Sequence, residues 1–296
     1  AVAGTGAASL GAEHPNVRIY LAADRIRKHR LGTMFSQLLQ AIPQWAEVLG
    51  TTGIDPIRDF DHILLSGPQM RDPSYVVVTL DYNLSAAKMG ETVRRVSAAA
   101  PGGRRLKDAP VPAWVIGQRG ERIAALHPKR RLLVIVPRAA EDKLGAVKKM
   151  RGFERSTDRI IALYIVTPWR AFRGTGFRFP ESVKWLRLVL LPTDEDDQFL
   201  LQVEAEDASA DAAAKDALQL GADLELVRVI DLGDIPFFGK QVELIGRPEI
   251  QVHGNRIHAT APVSEAQLRR IMKVIIPRLE AQGERRRAGG KGGGKG

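Results

Sequence analysis

The chain has 296 residues, 44% hydrophobic and 26% charged, enough for one large core or two of about 150 residues each. It contains no cysteine, which excludes disulfides, thiolate zinc sites, iron–sulfur clusters and cysteine nucleophiles. The formal net charge is +10, and no apolar run approaches the roughly 18 residues of a membrane-spanning helix. The charge is unevenly placed. Residues 101–160 carry 15 basic and 6 acidic side chains, whereas residues 194–234 carry 13 acidic and 2 basic. Such a polarised chain favours oriented association with an anionic partner or another charged surface.

The chain opens at Ala1, and Ala1–Ala12 is built of small, uncharged residues. It reads as part of a flexible linker over residues 1–15, of the kind that follows a cleaved signal or a membrane anchor. With the absent cysteines, this points toward a periplasmic or extracellular protein of the bacterial cell envelope. Val17–Ala22 is strand-like, and Ile26, Leu31, Met34, Phe35, Leu38, Leu39 and Ile42 recur at the spacing of one amphipathic helix. Pro43 must break or kink that helix. His62–Arg95 then reads as a strand, a polar turn, a second strand and a helix capped by Ser85. Ala113–Leu126 reads as a hairpin with Gly117 and Gly120 at its tip, followed by a strand over Leu132–Val136 and a helix over Ala140–Met150.

The same order returns further along. Ile161–Val166 is a strand, Trp169–Pro180 a loop with at most one helical turn, and Leu186–Gln219 aligns with His62–Arg95 without a gap at an offset of 124 residues. In that alignment Leu64 meets Leu188, Pro68 meets Pro192 and Ser85 meets Ser209. Glu249–Ala259 is a hairpin turning at Gly254-Asn255, and Ser264 caps a helix reaching Glu280. The expected architecture is α+β, an internally duplicated unit over residues 16–155 and 156–283. Each copy has mostly antiparallel sheet covered by helices on one face. A disordered basic Gly/Lys tail follows over residues 284–296.

Candidate chemistry is sparse. Asp59, Asp61 and His62 place two carboxylates and an imidazole at the start of a strand, which would suit a hydrolase with a carboxylate-oriented base. A turn and strand start account for the same residues, and the second copy has Ser182, Lys184 and Trp185 in their place. His253 and His258 flank a hairpin and could share a face, but no third metal ligand accompanies them. Gly4-Thr5-Gly6, the Gly174/Gly176 stretch and the acidic run Asp194–Asp197 fit no phosphate loop or calcium loop. No catalytic residue, metal or cofactor is assigned. The basic block is the strongest feature. Arg104, Arg105 and Lys107 precede the first hairpin, Lys129, Arg130 and Arg131 sit at a turn, and Lys148, Lys149 and Arg151 close a helix. Placed at element ends, they could converge on one edge as an anion-binding surface. The expected function is a non-enzymatic binding or scaffold protein whose partner is an acidic protein or other polyanion. A nucleic-acid-associated protein using the block and the tail is the alternative. Against it, Trp114 and Phe153 are the only aromatics among residues 101–160, too few for base stacking.

Overall fold

The computed structural model describes residues 10, 16–42, 45, 50, 52–68, 75–117, 119–127, 129–153, 159–171, 179–195, 197–231, 241–243 and 245–290. Most of the expected linker, the Gly4-Thr5-Gly6 and Gly174/Gly176 stretches, Asp196 and the last six residues lie outside these. In chain order the elements are β1 (Val17–Ala22), α1 (Ala23–Lys28), α2 (Gly32–Ala41), β2 (Phe60–Gly67), β3 (Val77–Tyr82), α3 (Ala86–Ala99), β4 (Ala113–Ile116), β5 (Arg122–Leu126), β6 (Leu132–Pro137) and a 3₁₀ helix (Arg138–Lys149). There follow β7 (Ile161–Val166), α4 (Pro168–Ala171), β8 (Trp185–Pro192), β9 (Gln198–Glu206), α5 (Ala210–Arg228), β10 (Val229–Asp231), β11 (Gln241–Glu243), β12 (Glu249–His253), β13 (Arg256–Ser264) and α6 (Glu265–Gly290). The fold is α+β with antiparallel strand pairing. The chain divides into two compact units. The first comprises Ala1–Ala22, Leu64–Val77 and Phe153–Leu268; the second comprises Ala23–Ile63, Val78–Gly152 and Arg269–Gly296.

In the first unit the strands run in the order β12-β13-β9-β8-β7-β1. Because successive side chains on a strand point to opposite faces, the pairing register sorts them. Leu186 of β8 pairs with Ala205 of β9, which pairs with Ile257 of β13. Leu186, Val203, Ala205, Ile257 and Ala259 are buried together with Ala213 and Ala217 of α5. The small alanines let this helix approach the sheet closely. One residue along, the register joins Arg18, Tyr164, Arg187, Glu204, His258 and Gln251 across all six strands. This row is polar and only partly buried, with Arg187 Nη2 donating to Glu204 Oε1 at 2.8 Å. The β12–β13 turn uses Gly254 at φ 60°, a left-handed conformation that glycine adopts without penalty.

In the second unit the order is β3-β6-β5-β4 beside the Phe60–Ile63 part of β2. Every residue of β6 is buried, as its unbroken apolar run requires. Phe60, Ile63, Leu80, Met89, Ile123 and Leu144 of this unit are also fully buried. The single helix expected over Ile26–Ile42 is two. The backbone breaks at His29–Leu31, where Gly32 N–H turns back to the carbonyl of His29 and a side-chain carbon at Gly32 would stand 3.0 Å from the carbonyl of Ile26. The disordered tail expected from residue 284 needs a similar correction. α6 continues past Glu280 to Gly290, and the Glu, Arg and Ala of that stretch are good helix formers. At the start of α6, Ser264 Oγ accepts from Gln267 N–H while Gln267 Oε1 accepts from Ser264 N–H, a reciprocal capping box.

Two other caps have the same geometry. Ser85 Oγ accepts from Lys88 N–H, and Ser209 Oγ accepts from Ala212 N–H, both at 3.2 Å. Ser85→Ala removes the first acceptor and is expected to lower unfolding stability by about 1 kcal/mol, measured by urea titration against the parent protein.

Candidate anion-binding surface

All nine cationic residues singled out in the sequence, Arg104, Arg105, Lys107, Lys129, Arg130, Arg131, Lys148, Lys149 and Arg151, are exposed and belong to the second unit. Three local structures hold them. Gly102 sits at φ 71°, and a side-chain carbon at Gly103 would lie 1.7 Å from the carbonyl oxygen of Ser97. Only glycine fits there, so the chain leaving α3 is pressed against the end of that helix. It then runs alongside β4: Val115 N–H donates to the Arg104 carbonyl, and Leu106 N–H donates to the Ala113 carbonyl. Arg104, Arg105 and Lys107 therefore project from a segment fixed at both ends.

The second and third groups meet at His127, a residue the sequence reading left without a role. Its ring is buried, and Nδ1 accepts the backbone N–H groups of Lys129 at 3.1 Å and Arg130 at 3.0 Å. This ties the Lys129–Arg131 turn to the core. Burial pushes the imidazole below its ordinary value, and Arg130 adds to that, while the Lys148 carbonyl near the ring pulls the other way without reaching hydrogen-bonding geometry. A neutral imidazole thus anchors the turn beside the end of the 3₁₀ helix that carries Lys148, Lys149 and, two residues beyond, Arg151. The Arg104–Lys107 segment lies instead at the beginning of that helix, where it lines a cleft with Glu141, Asp142 and Leu144. The nine cations form two groups, not the single edge their spacing suggested.

Asp59, Asp61 and His62 are drawn apart by different partners. Asp59 is held by its neighbour Arg58, with Nη2 to Oδ2 at 2.6 Å and Nε to Oδ1 at 2.8 Å, and also accepts the N–H of Asp55. Burial alone would push the Asp59 carboxyl up. The Arg58 guanidinium, the Asp55 N–H and the charge of Lys88 outweigh it and hold the carboxyl below its ordinary value. Asp61 pairs with Arg27 at 2.7 Å. The buried His62 faces Asp81, with Nδ1 3.1 Å from Oδ2. The imidazole's carboxylate comes from β3, not from the neighbouring aspartates.

In the first unit, the rings of His253 and His258 lie 5.9 Å apart, yet among the described residues no group of three metal-ligating side chains assembles. Asp207, ahead of α5, is fully buried. Burial pushes its carboxyl up, opposed by the Ser182 hydroxyl and reinforced by Asp216. Ser182 Oγ donates to Asp216 Oδ2 at 2.5 Å. Asp207 N–H donates to the Asn255 carbonyl, and Asn255 Nδ2 donates to the Asp207 carbonyl.

Two outcomes follow from these geometries. His127→Ala removes the acceptor of two backbone donors and is expected to speed amide exchange at Lys129 and Arg130 several-fold in hydrogen-exchange NMR. Because the folded imidazole is held low, its contribution is complete above about pH 6.5 and is lost as the pH falls from there toward the folded value. Asp59→Asn has its window lower. It destabilises the protein near neutral pH, and the difference from the parent closes as the pH falls from about 4 through the depressed folded value of Asp59. Thermal melts of both proteins across that range measure it.

No protein-family model and no curated protein matches the chain. Three crystal structures of TP0453 are similar to it in fold. Form I covers 95% of this chain and 99% of its own with a TM-score of 0.55 and 10% identity; form III covers 94% and 99% with 0.56 and 10%. Form IV covers 93% and 97% with 0.54 and 11%. At such identity the likeness is one of fold alone.

Proposed function

We propose that the chain is a non-enzymatic binding protein that presents the exposed cations of residues 104–151 to an acidic protein or other polyanion. The observation that carries this reading is that nine cations cluster in one unit and are all exposed. Arg27, Arg58, Arg138, Arg187 and Lys184 each lie within ion-pair distance of a carboxylate. None of the nine exposed cations of the block does so among the described residues. Nine unpaired charges in one unit raise the local potential and attract a partner of opposite sign. The aromatic residues favour a protein or other polyanion over nucleic acid. Trp114 is buried and Phe153 packs on Tyr20 at 6.2 Å, so neither offers a base a stacking surface. The separate engagements of Asp59, Asp61 and His62 favour a structural part for those residues.

We also read the chain as a duplication, with copies over residues 16–155 and 156–283. The order β1-β2-β3-β6-β5 has its counterpart in β7-β8-β9-β13-β12. The caps Ser85 and Ser209, 124 residues apart, make the same bond. On this reading the hairpin β12–β13 corresponds to β5–β6, and β4 is an addition to the first copy. No described helix is long and apolar enough to cross a membrane.

Poly-L-glutamate is a suitable probe. Lys129→Glu combined with Arg130→Glu and Arg131→Glu is expected to weaken its binding to the full chain by about tenfold or more, measured by fluorescence anisotropy. The binding of the parent should fall as salt rises. Unchanged affinity in the triple variant would overturn the reading, and tighter binding of a DNA oligonucleotide than of polyglutamate would replace the partner with nucleic acid.

A further inference from the structure

The cleft at the beginning of the 3₁₀ helix carries both signs of charge. It has a volume of about 550 Å³ and is lined by the Arg104–Pro110 segment on one side and by Glu141, Asp142 and Leu144 on the other. That volume falls within the range of small-ligand sites, roughly 300–1,000 Å³. Glu141 is taken up by Arg138 at 2.9 Å. Asp142 is exposed and, among the described residues, reaches none of Arg104, Arg105 or Lys107 within ion-pair distance. Arg104, Arg105 and Lys107 on one wall and Asp142 on the other thus line one concavity without pairing, and Asp108 adds an exposed carboxylate to the first wall. The half-buried Leu106 contributes an apolar surface to the same cleft, over the fully buried Leu144.

We propose that this cleft binds a short zwitterionic peptide. The peptide's carboxylate meets Arg104, Arg105 and Lys107, its ammonium group meets Asp142, and an apolar side chain rests against Leu106. A guanidinium suits a carboxylate because its donors match the two oxygens in geometry. A ligand charged at one end only would leave one wall unanswered. The glycines at 102 and 103 support the arrangement, because they fix the path of the basic wall from the end of α3. This inference rests on the reading of the exposed cations as an anion-binding surface and narrows the ligand for one of their two groups.

Isothermal titration calorimetry of the full chain with alanyl-leucyl-alanine tests it, using the N-acetylated and C-amidated forms of the same tripeptide as controls. The free tripeptide is expected to bind with 1:1 stoichiometry, and each blocked form to bind about tenfold more weakly or worse. Asp142→Asn, an exposed substitution whose folding circular dichroism verifies, should bind the free and N-acetylated peptides equally. Arg105→Gln should bring the free and amidated peptides together in the same way. If the N-acetylated peptide binds the parent as tightly as the free one, the site takes anions only and the proposal is overturned. If the tripeptide gives no heat at millimolar concentration while polyglutamate still binds, the proposal falls and the anion-binding reading stands. If neither binds, both fall.

Discussion

The strand register is the constraint on which the rest of this protein depends. A shift of one residue along any strand would exchange its two faces. In the first unit it would carry Leu186, Ala205 and Ile257 into solvent and bring Arg187, Glu204 and His258 against α5. Neither outcome is tolerable: the first loses apolar burial, and the second buries charges that now answer one another at the surface. The alternation of apolar and polar letters therefore does more than mark strands. It fixes which partner each residue meets across six strands, and with that the place of every turn and helix end between them.

The same logic explains why some of the architecture could be read before any coordinates and some could not. Strand positions, the Ser85, Ser209 and Ser264 caps and the Gly254-Asn255 turn are local signals, each written within a few residues, and they were legible. The break at His29–Leu31 was not, because apolar spacing continues through it; the fault depends on Gly32 lying against the backbone of the preceding turn. The helical continuation through Glu284–Ala288 was obscured by a composition that also suits an unstructured tail. Strand order is a non-local property, so nothing in the letters placed β6, and not the β4–β5 hairpin, beside β3.

At the candidate surface the sequence named the charges but not their supports. Arg104 through Arg151 stand out as letters, while His127 is an ordinary histidine until its Nδ1 is seen to collect two backbone donors under the Lys129–Arg131 turn. Likewise the Asp-Phe-Asp-His run suggests a group of neighbours acting together. Successive side chains on a strand look to opposite faces, which parts Asp61 from His62, and each of the three residues is held by a different group: Arg58, Arg27 and Asp81. Proximity in sequence misled because a strand separates neighbours that a helix or loop would gather. The exposure of these cations has a thermodynamic side too. An exposed ion pair contributes roughly 0–1 kcal/mol, so leaving the block's cations unpaired costs the fold little, and their positions are free to answer to a ligand.

The two hydrogen bonds between Asp207 and Asn255 have a consequence for motion. One runs from backbone to backbone and the other from the Asn255 amide to the Asp207 carbonyl, so the tip of the β12–β13 hairpin and the foot of α5 are clasped from both sides. Moving either one away from the other breaks both bonds. The helix and the outer hairpin thus form one cooperative opening unit, and a disturbance arriving at the sheet's edge is felt at the base of the helix that covers it.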